Sequence, residues 1–291
     1  MSPLQALTLD TALGECELKV FDTDNNITLV EQTITSYAKE VNNKFNSVLP
    51  APYSIYITKD IQDFYKKAHG PVPEWGIAIT KKNPNMIVMQ SPRTARISFN
   101  KFIQILIHEL NHIYLNNVLN TYSFPSWFKE GMAMSESGEF SINHQILISA
   151  AKWKRQLLSI DELNNFNKIN KNSAQLAYAE SYAMFNALQF YYGNNIYKNI
   201  IQQMNQGNKF WASLVLITGD DKNKIKNNIE NFLMKKYNWM FLLNAYNLIF
   251  AFLPLILIGG YLHKTYKNKK LLQTWEIQEL LEDLKDDDKP N

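Results

Sequence analysis

The chain has 291 residues, 46 % of them hydrophobic, with 30 basic and 27 acidic side chains and a net charge of +3. That is enough apolar material for one large domain or two small ones, and the evenly spread charge excludes nucleic acid as a partner. Cys16 is the only cysteine, which excludes an intrachain disulfide and a cysteine-built zinc site, so any metal must be held by histidine and carboxylate.

Residues 1–49 read as an N-terminal segment with a first helix over 27–49, where Ile27, Val30, Ile34, Tyr37, Val41 and Phe45 recur at helical spacing. Tyr53–Thr58, Trp75–Thr80 and Met86–Gln90 are short, rich in β-branched and apolar residues, and separated by Pro, Gly and Asn, as strands of a small sheet require. From Ser98, a helix-capping residue, to Tyr237 the pattern is helical, with breaks at Pro125, Gly138, Gly193, Gly207 and Gly219. Sheet first and helices after is an α+β order, and residues 50–236 are expected to form the main domain.

Tyr237–Leu262 contains no charged residue, and a bilayer core needs roughly 20 apolar residues in helical form, so 237–262 is expected to be a single transmembrane helix. Trp239 and Tyr261 lie near its ends, where amphipathic rings favour the interface. Residues 263–291 form a basic, then acidic tail whose Leu272, Trp275, Leu280 and Leu284 suggest a short amphipathic helix. Lys264, Lys267, Lys269 and Lys270 follow the apolar run at once and favour a cytoplasmic tail, which would place the main domain outside the membrane. Lys222, Lys224, Lys226, Lys235 and Lys236 precede it and nearly balance that bias, and the first twenty residues show no basic start or long apolar run of an export signal.

The chemistry is concentrated in residues 97–118. Phe102, Ile103, Leu106, Ile107, Leu110, Ile113 and Tyr114 cover most of a helical circumference, so this helix is expected to be buried, and its polar residues then need a purpose. His108 and His112 are four residues apart, about 40° around a helix and one turn along it, so their imidazoles can converge on one ion. Glu109, beside the first histidine, can reach a water on that ion without ligating it, which is the mechanical content of His-Glu-x-x-His. A second helix start, Pro125-Ser126-Trp127-Phe128-Lys129-Glu130, carries a carboxylate in its first turns. Two histidines and one carboxylate form a catalytic zinc set with an open fourth position. The competing readings are two satisfied core histidines and a carboxylate favoured by the helix dipole.

HELNH followed by SWFKEGMAMSES resembles the gluzincin metallopeptidases, in particular the peptidase MA-like domains related to aminopeptidase N and thermolysin. Trp127, Phe128, Glu130, Gly131 and Ala133 match the family's second segment, with 17 residues between His112 and Glu130, one fewer than usual in the aminopeptidase branch. Residues 178–193 resemble the family helix that opens on a tyrosine and closes on a glycine, here Tyr178 and Gly193. The resemblance implies a zincin-like fold with a small N-terminal mixed sheet, an active-site helix and a helical C-terminal subdomain, with Zn²⁺ held by His108, His112 and Glu130. It implies Glu109 as general base and Tyr178 as donor to the developing oxyanion, with Tyr182 as the competitor one turn on and His144 as a more remote one. Gln104, Asn111 and Glu136 are candidates for hydrogen bonds around the ligands. The family's aminopeptidases grip the free amino terminus with a glutamate that has no counterpart in Met86–Gln90. The substrate is therefore expected to be the interior of a peptide or protein, pairing with that strand as an added strand. Two other functions stay open: a pseudoenzyme or binding module on the same scaffold, and a membrane scaffold working through its acidic tail.

Overall fold

The computed structural model of the chain describes residues 5–21, 26–45, 49–69, 72, 76–119, 122–166, 169–238, 240 and 245–287. It divides into two compact units, Met1–Asn238 and Trp239–Asn291. The first unit is α+β. Its sheet begins with an antiparallel hairpin, β1 (Gln5–Thr11) and β2 (Gly14–Val20), in a region where only a helix was expected. In β2, Cys16, Leu18 and Val20 are buried and alternate with more exposed Glu15, Glu17 and Lys19, the period of a half-buried strand. Gly14 turns the hairpin at φ +122°, and a Cβ there would lie 2.3 Å from the carbonyl oxygen of Ala51, so the turn requires glycine.

Helix α1 (Ile27–Phe45) buries Val30, Ile34, Tyr37, Val41 and Phe45 along one stripe; of the rest of the expected helix, residues 46–48 lie outside the described residues and Leu49 is not helical. Next come β3 (Tyr53–Thr58), α2 (Ile61–Ala68), β4 (Ala78–Lys81), β5 (Met86–Gln90) and the short α3 (Pro92–Ala95). The strand expected from Trp75 starts at Ala78, and residues 73–75 lie outside the described residues. The sheet order is β1-β2-β3-β5-β4, with β2–β3 and β3–β5 parallel and β5–β4 antiparallel. Strand β5 is buried at every position because it lies between two neighbours. This corrects the expectation that a peptide pairs with Met86–Gln90: both edges of β5 are occupied by β3 and β4, and among the described residues β4 is the edge strand on that side.

Helix α4 (Phe99–Val118) starts at Ser98, whose hydroxyl accepts the Lys101 N–H at 3.3 Å. With α1 it shares one core with Leu18, Ile55, Ile57, Ile87 and Met89 of the sheet, to which it contributes Leu106, Leu110 and Ile113. Phe64 of α2 packs in a smaller cluster with Met86 and Val88, the alternate residues of β5. Full burial of each large aliphatic side chain stabilises by about 1.5–3 kcal/mol, so α4 is held against the sheet by its own apolar residues, independently of any metal.

The helical part consists of α5 (Ser126–Ser137), α6 (Ile142–Trp153), α7 (Lys171–Tyr192), α8 (Ile196–Asn205), α9 (Phe210–Thr218) and α10 (Lys222–Lys236). Ser126 does not cap α5: Pro125 holds the cap position, and the Ser126 hydroxyl donates to the Asn164 carbonyl at 3.1 Å. Helices α5 and α7 touch at Gly131, where a Cβ would lie 2.3 Å from the Ser181 carbonyl oxygen.

The second unit contains α11 (Ala245–Asp287). The expected membrane span Tyr237–Leu262 falls partly on residues 239 and 241–244, which lie outside the described residues. Among the described residues no helix is long and apolar enough to cross a membrane. The single-pass anchor, and the outside placement of the domain built on it, are therefore corrected. The tail does not begin a helix of its own; α11 runs through the lysines to Asp287 without a break.

Candidate metal centre

The helical repeat of α4 carries His108 and His112 to one face, their ring centroids 4.9 Å apart. Helix α5 brings Glu130 opposite them, its Oε2 3.3 Å from His108 Nε2 and 3.5 Å from His112 Nε2. One ligand atom from each of the three residues lies within 4.8 Å of the others. A tetrahedral ion with bonds of about 2.0–2.1 Å sets its ligand atoms about 3.3–3.4 Å apart. Both carboxylate–imidazole separations match that spacing, and two imidazoles with a carboxylate are the donor types zinc takes. The residues fit a zinc ion.

The electrostatics of the site point the same way. Burial acts to lower the pKa of His108, but hydrogen bonds and charge from Glu130 and Glu139 outweigh it and raise the imidazole to about 10. Burial likewise acts to raise Glu130, yet His112 and His108 hold its carboxyl well below the usual carboxylate range. Two carboxylates thus converge on His108 and demand positive charge between them, which a proton or a divalent cation can supply.

Glu109 is buried on α4, and its Oε2 accepts a hydrogen bond from Thr80 Oγ1 at 2.5 Å. Tyr178, from the second turn of α7, stands edge-on to His108 with 6.3 Å between ring centroids and packs on Phe166. Burial, then the charges of Glu130, Glu109 and Glu139, push its phenol well above the ordinary tyrosine value, so it keeps its proton. Tyr182 instead stacks on Phe140 at 3.8 Å. His144 caps α6, its Nδ1 accepting the Ser141 N–H at 3.1 Å, and is not among the convergent residues.

The remaining candidates lie elsewhere. Gln104 donates to the Gly138 carbonyl at 3.2 Å, Asn111 to the Tyr37 hydroxyl at 2.9 Å, and Glu136 accepts from Lys44 at 2.6 Å. The carboxylate that meets a histidine is Glu139, its Oε2 2.7 Å from His108 Nδ1. Lys101 donates to its Oε1 at 2.8 Å and Ser137 to its Oε2 at 3.1 Å. Burial opposes its ionisation, but His108 and then Lys101 prevail and lower its carboxyl to about 2. Glu139 stands in an irregular stretch just after the Gly138 cap, where no periodicity marks it; only the loop's return over α4 brings it to His108.

No curated protein matches the chain. The family model described as the peptidase MA superfamily matches residues 31–235, more than half of the chain, and this span includes all three convergent metal-ligand candidates and Glu109. The chain therefore belongs to the peptidase MA superfamily.

Proposed function

We propose that the protein is a zinc-dependent endopeptidase acting on internal bonds of peptides or unfolded proteins. The observation that carries this reading is the convergence of His108, His112 and Glu130, with Glu130 Oε2 3.3 and 3.5 Å from the two imidazole nitrogens and the carboxylate of Glu109 on the adjoining residue of the same helix. Zinc held there would lower the pKa of a water and polarise a carbonyl. Glu109 takes the proton of the attacking water and delivers it to the leaving amine. Tyr178 donates its phenol hydrogen bond to the oxygen on which charge develops.

The edge strand supports a peptide substrate. Gln90 N–H donates to the Ile77 carbonyl at 2.9 Å, which fixes the alternation of the β4–β5 pair. The backbone N–H and C=O of Ala78 and Thr80 consequently turn to the open side of β4. An extended peptide can add there as a further strand beside α4. Ala78–Lys81 contains no acid to hold a free amine, in keeping with internal cleavage.

The reading is tested with the full chain on amino- and carboxy-blocked fluorogenic peptides and on denatured casein. Wild type should carry one zinc and cleave both, and Glu109→Gln should keep the zinc and lose turnover. Removal of single residues from free amino termini only would overturn the endopeptidase reading. Equal turnover by Glu109→Gln would overturn the peptidase one.

A further inference from the structure

Helix α4 sets where the Cα of Glu109 lies, but a glutamate reaches its carboxylate through three rotatable bonds, and a general base is effective only when its oxygen is aimed. The aim comes from another element. Thr80 Oγ1 lies 2.5 Å from Glu109 Oε2 and 3.2 Å from the Glu109 carbonyl oxygen. The hydroxyl has one proton, and the short contact to the charged oxygen takes it in preference to the longer one to a neutral carbonyl.

Strand alternation places that hydroxyl. Ile79 packs with Phe64, Met86 and Val88 on one face of the sheet, while Ala78 joins the main core that contains α4. Thr80, two residues after Ala78, shares its face and meets α4. A β-branched residue has restricted χ1 on a strand, so the hydroxyl is delivered in a defined direction. The backbone of the same residue faces the open edge of β4, where the pairing alternation leaves its N–H and C=O free of β5.

We infer that Thr80 is a positioning residue for Glu109. Its hydroxyl anchors one carboxylate oxygen, leaves the other for the proton of the attacking water, and ties the orientation of the base to the strand on which a peptide would be seated. This rests on the peptidase reading above.

The test uses the full chain, the single variants Thr80→Val, Thr80→Ser and Glu109→Ala, and the double variant Thr80→Val with Glu109→Ala. Thr80→Val keeps the shape and strand preference and removes the donor; it should lower kcat by about tenfold or more with KM within about twofold, as expected when part of a general-base contribution of about 10²–10⁴ is lost. Thr80→Ser restores the donor and should restore kcat to within about twofold. Zinc stoichiometry should be unchanged in both. In chelator-treated protein, which reports the contact without turnover, the Tm shifts of Thr80→Val and Glu109→Ala should be non-additive, because each removes one end of the same bond. A Thr80→Val chain with wild-type kcat, failure of Thr80→Ser to recover it, or additive Tm shifts would overturn this inference and leave the peptidase reading standing. A zinc-loaded wild type that cleaves neither blocked peptides nor denatured casein would overturn the peptidase reading and this inference with it.

Discussion

Glu139 Oε2 and His108 Nδ1 are 2.7 Å apart, on the side of the ring away from Glu130. The contact fixes the tautomer: with its proton on Nδ1 directed at Glu139, the imidazole presents Nε2 to the ion site. Lys101 and Ser137 hold Glu139 in turn. Glu139→Ala should weaken zinc binding by about 10–100-fold without abolishing it, whereas His108→Ala, His112→Ala and Glu130→Ala should abolish it. Competition with a calibrated zinc chelator measures both. Unchanged affinity in Glu139→Ala would remove Glu139 from the site.

Gly131 follows Glu130 directly, and its Cα faces α7. A Cβ would meet the Ser181 carbonyl oxygen at 2.3 Å and Phe185 Cβ at 2.7 Å. Backbone cannot swing aside as a side-chain tip can, so Gly131→Ala must push α5 from α7. A loss of about 1–3 kcal/mol in urea unfolding is expected, with weaker zinc binding because Glu130 moves with α5. Wild-type stability in this variant would show that the two helices are not in such close contact.

Tyr178 and Tyr182 are one helical turn apart and differ in what they meet. Tyr178 stands at His108 with its proton retained, while Tyr182 is stacked on Phe140. Tyr178→Phe should lower kcat by about 10²-fold with zinc content and Tm nearly unchanged. Tyr182→Phe should change kcat by no more than about twofold. The reverse order in steady-state kinetics would move the role to Tyr182.

The parts of this site that were legible in the sequence are those fixed locally. His108, Glu109 and His112 lie on one helix, where a spacing of four residues determines their mutual placement whatever the rest of the chain does. Glu130 comes from another element and was marked by the Trp-Phe-x-Glu-Gly segment. Thr80 and Glu139 are separated from their partners by 29 and 31 residues, and no local period encodes such contacts. Strand order is equally non-local: Met86–Gln90 is recognisable as a strand, but its place between β3 and β4 depends on how the chain returns. The β1–β2 hairpin did carry a local signal, since GECELKV alternates strictly and opens on a turn glycine. For the uncharged run to Leu262, composition marks the stretch but not the bounds of the helix, and α11 carries on past Lys264, Lys267, Lys269 and Lys270.

Glu180 is fully buried on α7, two residues from Tyr178, and both its oxygens accept the Leu158 N–H, at 3.0 and 3.3 Å. Burial raises its carboxyl to about 8 against an ordinary 4.5, with the Leu158 hydrogen bond opposing and the charge of Glu162 assisting. The folded chain therefore holds a proton that the unfolded chain has released between about pH 4.5 and 8. Over that window the unfolded state binds fewer protons, so this group's contribution to stability is complete below about pH 4.5, falls as pH rises, and is lost above about pH 8. Glu180→Gln keeps a neutral side chain of the same shape and removes the titration. Wild type and Glu180→Gln should unfold at similar urea concentrations at pH 5, and at pH 9 the variant should be the more stable, by on the order of a few kcal/mol. Other titrating groups are common to both chains and cancel in the difference. A gap that stays constant from pH 5 to pH 9 would show that Glu180 is ionised in the folded protein throughout, with a partner other than the Leu158 amide.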